Sequence, residues 1–225
     1  MSDEEIAALY WHWPFWARPD QLSPEGEWTS WLMLGGRGAG KTRAGAEWIR
    51  RRVEQPNGTG AARRIALIGE TYSEARAVMV EGPSGLLSIS PPDWRPKFLP
   101  SRHLLVWPNG AEARLFSSER PETLRGPQFD TAWCDELAKW RYDETTWDML
   151  QFGLRLGQQP RQMITTTPRP TARTAIGMFH GYAAAAWAAI ISMKPKCLWE
   201  NPTSCIASRF LPMDARFPIA MSPSQ

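Results

Sequence analysis

Gly35-Gly36-Arg37-Gly38-Ala39-Gly40-Lys41-Thr42 satisfies G-x-x-x-x-G-K-[ST], the pattern of a phosphate-binding P-loop. Its glycines let the backbone turn tightly and expose N–H groups to phosphate oxygens. Lys41 brings an ammonium to the β- and γ-phosphates of a nucleoside triphosphate, and Thr42 brings a hydroxyl to Mg²⁺. The flanks agree with the motif. Trp31-Leu32-Met33-Leu34 is a short apolar run of the buried-strand kind. Lys41 to Glu54 holds no proline and one glycine, and Ala44, Trp48, Ile49 and Val53 fall near a helical stripe. Strand, loop and helix in that order aim a helix N-terminus at the anion.

Two further stretches have the composition of strand ends in the same site. Phe129-Asp130-Thr131-Ala132-Trp133-Cys134-Asp135-Glu136 is a mostly apolar run delivering two adjacent carboxylates, the Walker B form. Asp135 is the candidate Mg²⁺ ligand with Thr42, and Glu136 the base that polarises the attacking water. Adjacent strand residues point in different directions, so one acid can face metal and the next face water. Gln162-Met163-Ile164-Thr165-Thr166-Thr167-Pro168 reads as another strand. Its terminal hydroxyls, with Thr166 as the candidate, can bond the γ-phosphate or Glu136. Arg125, in Leu124-Arg125-Gly126-Pro127, sits on a glycine turn and is a candidate finger for a neighbour's transition state. Arg37 can instead contact the γ-phosphate of its own nucleotide or signal to an adjacent subunit.

Composition sets the outer limits. A chain of 225 residues is enough for one large domain, or one domain and a tail. With 43% hydrophobic and 22% charged residues, it matches an ordinary globular protein. A net charge of +3 gives no argument for nucleic acid by itself. The three cysteines, Cys134, Cys197 and Cys205, form no C-x-x-C pair, which argues against a disulfide framework or a zinc site. The acidic start, Met1-Ser2-Asp3-Glu4-Glu5, does not read as a signal peptide. The longest apolar stretch, Tyr182 to Met193, is shorter than the ~20 residues a bilayer requires. A cytoplasmic protein with no membrane partner is expected.

Three segments are expected along the chain. Residues 1–30 carry Trp11, Trp13, Trp16 and Trp28 among Pro14, Pro19 and Pro24, and read as an irregular lid over the core. Alternatively this is an adenine-side element in which Gln21 bonds the base edge. Residues 31–171 alternate strands and helices, the mark of an α/β domain with a mainly parallel sheet. Within them, Ser73 is a candidate cap for a helix stopped by Gly82, and the proline-rich 83–101 reads as loop. Asn109-Gly110 marks a β-hairpin, and Asp143 is a candidate cap for a helix through Trp147, Leu150 and Leu154, closed by Gly157. The basic groups Arg50-Arg51-Arg52 and Arg63-Arg64 either track phosphates or are solvated helix-end charges. Residues 172–225 hold only two acids, Glu200 and Asp214, and show a helical stretch at Ala183 to Ile191 followed by little periodicity.

These motifs, in this order, resemble the large terminase subunits of tailed phages, closest to those of prophages and gene transfer agents. The resemblance rests on Trp31 to Trp48, Leu124-Arg125-Gly126-Pro127, Trp133 to Trp140 and Ile164-Thr165-Thr166-Thr167-Pro168-Arg169-Pro170, and covers roughly residues 10–171. It implies an ATPase of the additional-strand, RecA-like P-loop class, with ATP and Mg²⁺ as cofactors. It further implies a homo-oligomeric ring that drives double-stranded DNA into a procapsid in the bacterial host cytoplasm, with portal protein and small terminase subunit as partners. The family usually adds a nuclease built on a cluster of acidic residues. Two acids after residue 171 cannot assemble that cluster, so a truncation or frameshift near residue 172 is expected and no nuclease activity is carried over. The competing readings are a truncated, non-catalytic nucleotide-binding remnant and another P-loop NTPase, helicase-like or kinase-like. A two-lobed helicase needs a second lobe, and a small-molecule kinase has no need of Thr165-Thr166-Thr167.

Overall fold

The structure is a computed structural model that describes residues 2–56 and 61–167. A capped helix α1 (Asp3–Trp11) and a short α2 (Trp13–Trp16) lead through a 3-10 turn to β1 (Ser30–Leu34). After the P-loop come α3 (Lys41–Glu54), β2 (Arg64–Gly69), α4 (Tyr72–Ala75, continued by a π-turn over Arg76–Val80) and α5 (Leu86–Ile89). Three strands follow, β3 (Lys97–Leu99), β4 (Leu104–Val106) and β5 (Glu112–Ser117), then β6 (Thr131–Asp135), α6 (Asp143–Gly153) and β7 (Arg161–Thr166).

The seven strands form one sheet in the order β1-β7-β6-β2-β5-β4-β3. The first five are parallel, and β4 and β3 extend the edge antiparallel. β7 thus lies between the P-loop strand β1 and the acidic strand β6, the additional strand expected from the resemblance. Because parallel strands end at the same edge, Leu34, Asp135 and Thr166 finish side by side. Ligands of open α/β sheets bind at that carboxyl edge.

Both faces of the sheet are covered, and side-chain alternation divides the core in two. Trp31, Met33, Ile65, Leu67, Leu115, Trp133 and Met163 pack with α3 residues Ala44, Trp48, Ile49 and Val53. Leu32, Ala66, Ile68, Ala132, Cys134 and Ile164 pack with Trp147 and Leu150 of α6. Strands buried on both faces explain why the sequence shows near-continuous apolar runs there. α3 lies tightly against the sheet at Gly45, where a Cβ would run into the Trp133 indole. Gly45→Ala is therefore expected to destabilise the domain by about 1–3 kcal/mol through overpacking, despite alanine's better helix propensity. Urea denaturation checks this, and an unchanged midpoint contradicts the packing.

Several local expectations are corrected. The N-terminal segment is helical over Asp3–Trp11 and Trp13–Trp16 rather than irregular. Ser2 and Glu5 form a reciprocal capping box, and Pro14 falls in the first turn of α2, where no N–H is required. The cap of α4 is Thr71, whose Oγ1 accepts from the Glu74 N–H at 3.1 Å, not Ser73. Residues 83–101 contain α5 and β3, because the prolines bracket these elements instead of interrupting them. Asp143 is the first residue of α6 and not its cap, a position taken by Tyr142, and the helix ends at Gly153, before Gly157; Leu154 then bridges Phe129. The hairpin holds: Gly110 has φ +81° and the Asn109 side chain accepts from the Ala111 N–H. The expected tail, the Ala183 to Ile191 helix and Cys197 and Cys205 lie outside the described residues. Among the described residues, no helix is long and apolar enough to cross a membrane.

Candidate nucleotide site

At the end of β1 the chain enters the glycine loop. Gly38 and Gly40 take φ +80° and +76°, a left-handed backbone that other L-residues adopt only at a cost. Gly36 and Gly38 face open space. Gly40 is the N-cap of α3, and no side chain bonds the first-turn N–H groups there. A 14-residue helix thus opens with free donors and the positive end of its dipole on the loop. The nucleotide phosphates expected at this loop fit that donor set.

Lys41 is buried, and its ammonium is fixed in four directions. It donates to Gly35 O at 3.0 Å, Gly36 O at 3.2 Å and Thr167 Oγ1 at 3.0 Å, and pairs with Glu136 Oε1 at 3.2 Å. Glu136 itself has a left-handed backbone, φ +48°, at the turn that leaves β6. Such a conformation costs about 1 kcal/mol for a non-glycine residue. It is held by the Thr167 N–H and hydroxyl, at 3.2 and 3.0 Å from the two carboxylate oxygens. The P-loop ammonium, the second acid of β6 and the residue after β7 are therefore one hydrogen-bonded cluster.

Asp135 lies one step deeper, 6% exposed. Trp133 Nε1–H donates to Thr165 Oγ1 at 3.1 Å, and the Thr165 hydroxyl donates to Asp135 Oδ1 at 2.6 Å. Burial pushes the Asp135 carboxyl from 3.8 up to about 6; the Thr165 bond opposes this, the Glu136 charge adds to it and Lys41 opposes it. A carboxylate whose charge is disfavoured by burial gains from a divalent counter-charge. The residues that would hold Mg²⁺ are Asp135 and Thr42, the latter in the first turn of α3. The sign of the pH effect follows. Between 3.8 and about 6 the folded protein binds a proton that the unfolded chain has released, so stability falls as pH rises through this window. In urea denaturation without metal, Asp135→Asn is expected to gain on wild type at pH 7 relative to pH 4. An equal gap at both values contradicts the buried-acid picture.

The threonine run divides by strand alternation. Thr165 and Thr167 face the acids, whereas Thr166 accepts from the Ala138 N–H at 3.0 Å and braces the turn after Glu136. The sequence offers all three hydroxyls and singles out Thr166; the period-2 rule, counted from Asp135, selects Thr165 and Thr167 instead. Gln21 is brought against the loop. Its oxygen accepts from Arg18 N–H at 3.0 Å, and its amide lies 3.4 Å from Ala39 O, so closely that a Cβ at Gly40 would meet it. Arg18 adds a bond to Ala39 O at 2.8 Å. Arg37 is exposed on the loop, and Arg125 is exposed where a 3-10 turn ends before Gly126, φ +103°. Neither is drawn into the Lys41–Glu136 cluster.

The arginine clusters are not open tracks. Arg50 is buried against Glu47 and donates to Trp11 O, and Arg52 is buried against Thr131, while only Arg51 of the three is exposed. Arg63 bonds the Val53 and Ala62 carbonyls, and Arg64 pairs with Glu112. Both the phosphate-tracking and the solvated readings fail for Arg50 and Arg52, whose charges tie α3 to its surroundings. Cys134 is a fully buried thiol that burial pushes up, out of reach of reactive chemistry.

A P-loop, an adjacent additional strand and paired carboxylates at one sheet edge define a nucleotide-binding domain of the additional-strand P-loop class. Residues 32–179 match the family described as terminase large subunit, T4likevirus-type, N-terminal, and the chain belongs to that family. Among solved structures it is similar to the large terminase of a thermophilic bacteriophage. Identity is 14%, with a TM-score of 0.57 over 81% of this chain and 44% of that one. The same phage protein in complex with ADP gives 16%, a TM-score of 0.57, and 84% and 44% coverage. The Thermus phage P74-26 large terminase ATPase domain gives 20%, a TM-score of 0.48, and 68% and 65% coverage. The chain thus spans less than half of the thermophilic phage's protein and about two thirds of the Thermus phage domain. Comparison with curated proteins returns no significant match.

Proposed function

We propose that this chain carries the ATP-hydrolysing motor domain of a phage-type terminase, which drives double-stranded DNA into a procapsid. The observation that carries the reading is the Lys41–Glu136–Thr167 cluster at the ends of three neighbouring strands. Thr42 and Asp135 would hold Mg²⁺, which would supply charge neutralisation for the transferred phosphoryl group. Around it, the loop N–H groups orient the β- and γ-phosphates and Lys41 moves its charge onto them. Once Lys41 leaves, Glu136 keeps its Thr167 bonds and is free to accept a proton from water. Thr167 touches both groups, so it is the natural sensor of which partner Lys41 holds. The resemblance brings in a homo-oligomeric ring in the host cytoplasm, with portal protein and small terminase subunit, of the prophage or gene transfer agent type.

The test is the ATPase rate with and without duplex DNA. A rate that rises with DNA supports the motor, an unaffected rate points to another P-loop NTPase, and no turnover favours a non-catalytic remnant. Exposed Arg125 serves in this reading as a finger acting between subunits, and Gln21 as an adenine contact. Arg125→Ala is expected to lose on the order of 10³-fold in rate. Mixing it with a Lys41 variant restores part of the activity, because each supplies what the other lacks. Absence of recovery in a mixture that assembles removes Arg125 from that role.

A further inference from the structure

Trp133 is fully buried in β6, two residues before Asp135, so both side chains leave the sheet on the face that α3 covers. The neighbouring strand repeats the spacing, with Met163 beside Trp133 and Thr165 beside Asp135. α3 crosses this layer at Gly45, where a Cβ would meet the Trp133 indole. Thr42 lies three residues earlier on the helix, about 4.5 Å along its axis. Asp135 lies two residues later on the strand, about 6.6 Å along it. The Gly45–Trp133 contact is therefore the packing layer just below the two candidate Mg²⁺ ligands.

Hydrogen bonds in this layer run in one direction. An indole N–H donates and cannot accept, and Trp133 Nε1 is 3.1 Å from Thr165 Oγ1. Thr165 accepts there, and its single proton has two acceptors in reach: Asp135 Oδ1 at 2.6 Å and the Cys134 carbonyl at 3.3 Å. A hydroxyl that accepts one bond becomes a better donor of the next, and the short bond to a carboxylate is the stronger of the two. Oδ2 of Asp135 makes no hydrogen bond among the described residues, so one oxygen is held and the other is left for a cation. Core packing does not place such a bond by itself. The Trp107 indole is also buried, and its N–H has no acceptor among the described residues.

We propose that Trp133 is a positioning residue for Asp135, acting through the Thr165 hydroxyl and braced by Gly45, and that this relay strengthens the hold on a divalent cation at the nucleotide. It rests on the reading of Asp135 and Thr42 as the Mg²⁺ ligands. Groups behind a metal ligand fix its orientation, and losing one ordinarily costs roughly 10–100-fold in metal affinity.

Equilibrium titration of the full chain with ATP-γ-S, once with Mg²⁺ and once with EDTA, isolates the metal's contribution as the ratio of the two affinities. In Trp133→Phe, which removes the N–H and keeps an aromatic ring, that ratio is expected to fall about tenfold while affinity in EDTA stays at the wild-type level. Thr165→Val, which keeps the shape and removes the hydroxyl, is expected to lose at least as much, and Thr165→Ser to retain the ratio. If Trp133→Phe does not fold, the valine and serine variants decide: a ratio lost in one and kept in the other supports the relay, and equal ratios overturn it. An unchanged ratio in a folded Trp133→Phe overturns the proposal. A parallel fall with and without Mg²⁺ does so too, because it marks a purely structural role. A wild type that binds ATP-γ-S equally in both buffers refutes the metal ligands, and one that binds it in neither refutes the nucleotide site; both results take the relay with them.

Discussion

Glu136→Gln is expected to bind ATP and fail to hydrolyse it, with turnover reduced by about 10²–10⁴-fold. The amide preserves the shape of the side chain, and its one oxygen can still accept from the Thr167 hydroxyl and Lys41 while the bond from the Thr167 N–H is lost, so the fold and the phosphate cradle persist. What disappears is the carboxylate able to take a proton from water. A filter-binding assay with labelled ATP beside a phosphate-release assay separates the two effects. Retained binding with lost release is the expected result. Full turnover in the variant would falsify the assignment of Glu136 as base.

Lys41→Ala is expected to fail one step earlier, at binding. The ammonium is the group common to Gly35 O, Gly36 O, Thr167 and Glu136, and no second cation reaches Glu136 among the described ion pairs. Without it the loop keeps its N–H groups and loses its one interior positive charge. Nucleotide affinity is expected to fall by about a hundredfold, the scale of losing two charge-assisted hydrogen bonds. Glu136 is also left half-buried without its counter-charge, so the variant is expected to melt at a lower temperature in nucleotide-free buffer. Unchanged affinity in equilibrium titration contradicts the cradle.

Much of this architecture was legible in the residues. The P-loop with its apolar run and proline-free helix announced β1 and α3. Asp135-Glu136 after Thr131 to Cys134 announced β6, and Asn109-Gly110 announced the hairpin. Such features are local, set by periodicity and backbone chemistry within a few residues. The strand order was not local. That β7 separates β1 from β6 came only through the family resemblance, since no short-range pattern states which strands pair. The short helix Trp13–Trp16 was hidden by Pro14, which occupies a tolerated first-turn position. Inside the site, three consecutive threonines look alike in sequence. Alternation sends Thr165 to Asp135 and Thr167 to Glu136, while Thr166 braces the Ala138 turn. The interior roles of Arg50 and Arg52 were equally invisible, because a charge cluster on a helix end ordinarily faces water.

The proposed hydrolytic site joins the ends of β1, β6 and β7. It is tested most directly by single-turnover phosphate release from the wild-type chain with ATP, with and without Mg²⁺, beside Glu136→Gln. Mg²⁺-dependent release by the wild type, and none by a variant that still retains ATP, is the expected result. Release of equal rate from both proteins, or release indifferent to Mg²⁺, would contradict it.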